Sequence, residues 1–184
     1  NILWNSHSKQ LKVLDFGAAS PYQDRFAHGG ADLIGEYHEV TLPYMSPEQT
    51  GRMNRSVDYR SDYYSIGIVL YRLLTGQYPF QATDTLQWIH AHLAQQPAMP
   101  HTLRDNVPLP LSQLVMKLLA KNPDERYQSS HGLLDDLLHC RKELRYFGTI
   151  VPFELGSTDY STRLQITKQL YGRDEALHLL SETL

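Results

Sequence analysis

Residues 11–20 read LKVLDFGAAS. Leu11, Val13 and Leu14 form a short apolar run that ends on a carboxylate, Asp15, followed by Phe16 and Gly17. A strand of this kind needs a partner. The nearest β-prone stretch is Ile2-Leu3-Trp4, and the polar Ser6-His7-Ser8-Lys9 lies between the two. A small hairpin is expected. Beyond it, residues 16–45 show little periodicity and carry Gly17, Gly29, Gly30, Gly35, Pro21 and Pro43. Irregular stretches of this length in a compact domain are usually functional or disordered.

Periodicity returns further along. Residues 59–75 are apolar on nearly every face, with Tyr63, Tyr64, Ile66, Ile68, Val69, Leu70, Leu73 and Leu74, which predicts a buried core helix capped by Gly76. Residues 83–95 open on a Thr or Asp cap and place Leu86, Ile89 and Leu93 at helical spacing. Residues 111–120 are amphipathic, and 129–144 carry Leu133, Leu134, Leu137 and Leu138 as one stripe. Pro97, Pro100, Pro108, Pro110 and Pro123 break the chain between these helices. After Tyr146 the pattern loosens into an extended linker or arm, and a last helical start follows at 173–184.

Bulk properties exclude several classes. A chain of 184 residues, 41% hydrophobic and 20% charged, suits one soluble globular domain with an appendage. A net charge of −3 gives no sign of a nucleic-acid or anionic-membrane surface. Cys140 is the only cysteine, so no internal disulfide and no cysteine-based zinc site is available, as suits a reducing cytoplasm. No apolar stretch reaches the roughly 18 residues of a membrane span. The first residues are no signal peptide, and the chain opens in mid-pattern without Met. His90 and His92 diverge on a helix, while His7, His28, His38 and His101 sit in loops without a ligand array, so all are read as ordinary. Trp4 and Trp88 are read as packing residues.

The surroundings give Asp15-Phe16-Gly17 its meaning. Residues 40–52 read VTLPYMSPEQTGR, Asp62 lies in SDYYSIG, and Arg126 lies in KNPDERYQS. Together these resemble the C-terminal lobe of a eukaryotic-type (Hanks-type) bacterial serine/threonine protein kinase, from the end of the catalytic loop onward. Asn1-Ile2-Leu3 is similar to the end of H-R-D-x-x-x-x-N with its following apolar pair. Asp15-Phe16-Gly17 is similar to D-F-G, and Ser46-Pro47-Glu48 to A-P-E with Ser for Ala. Asp62, Ser65 and Gly67 fit the central-helix signature, with Tyr64 in place of Trp. Arg126 stands at the position of the arginine that pairs with the A-P-E glutamate. The resemblance spans residues 1–145 and implies a kinase-like α+β fold: a mainly helical C-lobe with a short N-terminal hairpin, the N-lobe being absent.

It also implies roles. Phosphoryl transfer from ATP needs cations beside the phosphates, and Mg²⁺ prefers hard oxygens. Asn1 would supply an amide oxygen and Asp15 a carboxylate to Mg²⁺ and the nucleotide. Phe16 would pack into the lobe and orient Asp15, while Gly17 lets the backbone turn. Residues 18–45 become the activation segment. Glu48, Asp62 and Arg126 are scaffold: Glu48 pairs with Arg126, and Asp62, on a buried helix, accepts backbone N–H groups of the catalytic loop. Thr41 and Tyr44 line the substrate groove, with Val40 and Leu42 replacing the usual glycine and proline. Thr41 points to Ser/Thr substrates. The hydroxyls of Ser20, Tyr22 and Thr41 are candidate regulatory sites, with ordinary solvated side chains the simpler reading.

A G-x-G-x-x-G loop, a V-A-I-K lysine, a helix-αC glutamate and the H-R-D aspartate do not occur in these residues. The fragment alone is therefore expected to be inactive, its parent transferring the γ-phosphoryl of ATP to protein Ser or Thr in the cytoplasm. The alternative is a pseudokinase-like module that relays signals. Residues 170–180, LYGRDEALHLL, resemble the opening of an AAA- or STAND-type P-loop ATPase domain. That makes 146–170 a linker and 171–184 the start of the next domain. In cyanobacteria such chains continue into GAF and histidine-kinase modules, so the implied partners are a protein substrate, ATP and adjoining ATPase or sensor modules, with no nucleic acid and no membrane span.

Overall fold

The computed structural model of the protein describes residues 1–16 and 40–160. Gly17, Ser20, Tyr22, His28, His38 and the 170–180 motif lie outside the described residues.

Strands β1 (Ile2–Asn5) and β2 (Gln10–Val13) form an antiparallel hairpin in which Ile2 faces Val13 and Asn5 faces Gln10. The Asn5 side chain closes the turn by accepting from the His7 and Ser8 N–H groups at 2.9 and 3.0 Å. Both strands are exposed along their whole length. Trp4, expected to pack, is 58% exposed, because nothing among the described residues covers the ribbon.

The helical body is built around α1 (Arg60–Thr75) and α4 (Leu109–Leu118). Tyr64, Ile68, Tyr71 and Thr75 form the buried face of α1 at helical spacing. Gly67 marks its crossing with α4: a Cβ there would stand 2.8 Å from Leu118 Cβ. Gly76, at φ 81°, ends the helix with its N–H on the Arg72 carbonyl. The helix is not buried all round, as its sequence suggests. Asp62, Ile66 and Leu73 share an exposed stripe, with Leu73 76% exposed.

Helix α2 (Thr85–Ala94) is capped by Asp84, which accepts from Gln87 N–H at 2.8 Å. Its inner face is Ile89, Ala91 and His92, not the expected Leu86–Ile89–Leu93 stripe, because Leu86 points to solvent. A short α3 (Pro100–Leu103) begins on a proline, and α4 carries Pro108 at its cap and Pro110 in its first turn. Proline breaks a helix interior but suits the first turn, which is why α4 starts two residues before the expected 111. Helix α5 (Ser130–Phe147) is capped by Ser129. Its buried line is Leu133, Asp136 and Cys140, with Leu137 half-buried, while Leu134 and Leu138 are exposed.

Residues 149–160 are irregular and lie against the α4–α5 face. Ile150, Phe153 and Leu155 join the core cluster of Leu114, Leu118, Tyr127 and Leu133. Buried Asp136 accepts from the Tyr127 hydroxyl at 2.5 Å and the Gly156 N–H at 2.7 Å. Asp159 accepts from Gln128 N–H and the Ser129 hydroxyl, each at 2.7 Å. Only glycine fits at 132, where a Cβ would stand 2.5 Å from that of Asp159. No helix among the described residues is long and apolar enough to cross a membrane.

Candidate functional site

Asn1 and Asp15 both stand at the open end of the hairpin. Leu14 N–H donates to the Asn1 carbonyl at 2.7 Å, which carries the pairing one step beyond Ile2 and Val13. Asp15 follows at φ 60°, the left-handed region that costs a residue with a Cβ and recurs at functional sites. Both residues are exposed. Among the described residues no group of three or more His, Cys, Asp or Glu is placed to hold a metal. The corner offers instead one amide oxygen and one carboxylate. That donor set fits a hard cation that keeps several waters and shares phosphate oxygens, as Mg²⁺ does. Phe16 does not pack into the lobe as expected: it is 70% exposed, with nothing among the described residues over it.

Glu48 lies in the turn Pro47–Thr50, whose lead residue Ser46 donates from both its N–H and its hydroxyl to Gln49 Oε1 at 2.9 Å. Arg126 follows the short turn Pro123–Glu125. Although 78 residues apart, the two meet as a bidentate pair, Nη1 to Oε1 at 2.7 Å and Nη2 to Oε2 at 2.8 Å. Their side chains are 1% and 0% exposed. The guanidinium uses all five of its N–H donors. The remaining three bonds go to the carbonyls of Arg60, Ala120 and Lys121, at 2.9, 2.8 and 3.3 Å. Ser61 adds a 2.6 Å hydroxyl bond to Glu48. Burial pushes the Glu48 carboxyl upward, but the Arg126 hydrogen bonds and charge, with Ser61, outweigh it and hold the group below the ordinary carboxylate range. One ion pair thus ties the Pro47–Thr50 turn to the start of α1 and to the loop after α4.

A second turn, Leu42–Tyr44, lies beside it, with Thr41 exposed at its start. The Tyr44 carbonyl accepts from Ser65 Oγ at 2.8 Å, and its hydroxyl accepts from Arg72 at 2.9 Å. The Leu42 carbonyl faces His92 Nε2 at 2.9 Å. The sequence reads His92 as ordinary because it diverges from His90 and cannot chelate with it, whereas here it is a buried hydrogen-bonding residue. The available signal was phase, since His92 stands three residues after Ile89 and so on the buried side of α2. Asp62, expected on a buried surface, lies exposed in the first turn of α1, on the same stripe as Ile66 and Leu73.

Residues 1–138 match the protein kinase domain family. The chain belongs to that family. Among curated proteins, this kinase chain is 37% identical over 171 residues to hybrid signal transduction histidine kinase G of Dictyostelium discoideum, covering 82% of the chain and 5% of that protein. Against histidine protein kinase 1 of Candida albicans the identity is 30% over 164 residues, covering 89% of the chain and 6% of that protein. Against the serine/threonine-protein kinase PknB of Mycobacterium tuberculosis it is 37% over 135 residues, 72% of the chain and 20% of that kinase. The chain therefore spans between about a twentieth and a fifth of these relatives. Within the kinase family its architecture is that of the C-lobe: a helical body with a short antiparallel hairpin in front of it.

Proposed function

We propose that the chain is the C-lobe of a serine/threonine protein kinase and contributes Asn1 and Asp15 to Mg²⁺–ATP binding. The observation that carries this is the placement of an amide and a strained carboxylate at one hairpin end, in a chain of the kinase family. When bound, the metal screens phosphate charge as the γ-phosphoryl group moves. This chain's residues hold and orient. Asn1 and Asp15 present oxygens, Glu48 and Arg126 fix the segment that ends the activation region, and Thr41 and Tyr44 form the wall where a Ser or Thr of a protein substrate lies. The catalytic aspartate, the ATP-binding lysine and the Gly-rich loop are not among these residues, so the isolated chain is inactive. The parent is a multidomain, cytoplasmic signalling protein in which the lobe is joined to an ATPase-like domain that begins near 171. The expected result for Asp15→Ala in the full-length protein is loss of phosphoryl transfer to protein Ser/Thr, with folding retained by circular dichroism. Unchanged transfer removes Asp15 from the site.

The matches to two long histidine kinases favour a second reading, a relay lobe inside a sensor protein. The same variant separates the two. Output that survives Asp15→Ala while Glu48→Ala abolishes it indicates a relay held by its fold.

A further inference from the structure

His92 is one of the most enclosed polar groups in the chain, with no exposed surface, and the kinase reading gives it no task. Its ring stacks on Trp88, one turn earlier on α2, at 5.8 Å and 22°. The edges of Tyr64 and Phe80 close the other sides, at 5.7 and 5.5 Å. Two polar contacts remain, and they reach different elements. Nε2 lies 2.9 Å from the Leu42 carbonyl, and Nδ1 lies 3.0 Å from the Tyr64 hydroxyl of α1. A carbonyl only accepts, so Nε2 carries the proton. Nδ1 of the neutral ring must then accept from Tyr64. Burial, with the Lys121 charge beside it, keeps this ring neutral by lowering its pKa to about 4, against the weaker opposing effect of the Leu42 bond.

We propose that His92 is a positioning residue: it pins the Leu42–Tyr44 turn, and with it Thr41, to the helical body by donating to the Leu42 carbonyl. The lever is short. Met45 N–H bonds to that same Leu42 carbonyl at 3.2 Å, and Tyr44 N–H to Thr41 at 3.0 Å, so the pinned carbonyl is one of two on which the turn is built. Pro43 removes a further backbone donor from the turn. On the α1 side Tyr64 fixes the plane of the imidazole, and Trp88 fixes its height. The consequence for substrate choice rests on the reading of 41–44 as the substrate wall; the pinning itself does not.

Two substitutions dissect the ring. His92→Gln places an amide donor near Nε2 and retains the Leu42 bond, but it loses the acceptor for Tyr64. His92→Asn places an acceptor near Nδ1 and retains Tyr64, but it loses Leu42. The readout is amide hydrogen exchange at Tyr44 and Met45 in the 184-residue chain, against the amides of α4 and α5 as a gauge of global stability. His92→Asn is expected to exchange roughly tenfold faster at the two turn amides, the scale of one buried hydrogen bond, with His92→Gln close to wild type. Tyr64→Phe, a milder change should either polar variant fold poorly, is expected to leave the turn amides unchanged relative to α4. Equal acceleration in the Gln and Asn variants, or acceleration shared by α4 and α5, overturns the proposal. In the full-length protein, His92→Asn is then expected to raise the KM for a protein substrate while leaving ATP hydrolysis without substrate unchanged. A loosened turn with an unmoved KM keeps the pin and rejects the substrate-wall reading.

Discussion

Glu48 and Arg126 each carry a full charge that meets almost no water, and each is bearable only because of the other. Glu48→Ala strands a guanidinium and Arg126→Ala a carboxylate, so each is expected to cost about 3–5 kcal/mol in urea unfolding. The double variant should lose less than the sum, since neither charge is then alone. Additive losses would contradict the contact. Acid acts on the same neighbourhood through two groups. The folded His92 ring titrates near 4 instead of 6.5, so the unfolded chain binds the extra proton as pH falls through that interval. Stability should decline there by about 3 kcal/mol. Glu48, held below its usual 4.5, adds a second loss that begins only beneath that value. The groups packed on His92 are Tyr64, Trp88, Phe80 and Lys121, none of which titrates between pH 4 and 6.5. Urea midpoints at pH 7, 5.5, 4 and 3 check this: His92→Gln should flatten the decline between pH 7 and 4 and keep the further decline toward pH 3.

Among the elements, the hairpin and the four longer helices were legible because period and caps announce them, and α3 was too short to register. The faces were less legible. Leu133–Leu134 and Leu137–Leu138 are adjacent apolar pairs, so either member satisfies a helical stripe. The choice is made by Tyr127 and Gly156, which bond Asp136 from elsewhere in the chain and so decide which side of α5 turns inward. In α1 the apolar surplus reads as full burial, yet Ile66 and Leu73 face outward. The hairpin and the helical body should also differ in exchange. Amides of Ile2–Asn5 and Gln10–Val13 have one partner strand and no cover, so they should exchange orders of magnitude faster than those of α1 and α4. Protection of the hairpin equal to that of α4 would mean that its exposed faces are covered in solution.

For the whole molecule, the family was legible from five spaced motifs, whereas the contacts that hold it were not. Nothing in the spacing of Glu48 and Arg126 says that they touch, and the resemblance supplied that pairing. Nor does composition reveal that 149–160, which reads as a loose arm, is seated through Ile150, Phe153 and Asp159. That seat has a mechanical consequence. The peptide N–H held by Asp159 belongs to Gln128, two residues along the backbone from Arg126, and the Gln128 carbonyl takes the Tyr59 hydroxyl at 2.8 Å, just ahead of α1. Tension drawn along the chain from beyond Tyr160 is therefore delivered to the strand of backbone that holds the central ion pair. The same pull reaches the cap of α5, since Asp159 also holds the Ser129 hydroxyl, so the ion-pair segment and the start of α5 are loaded together.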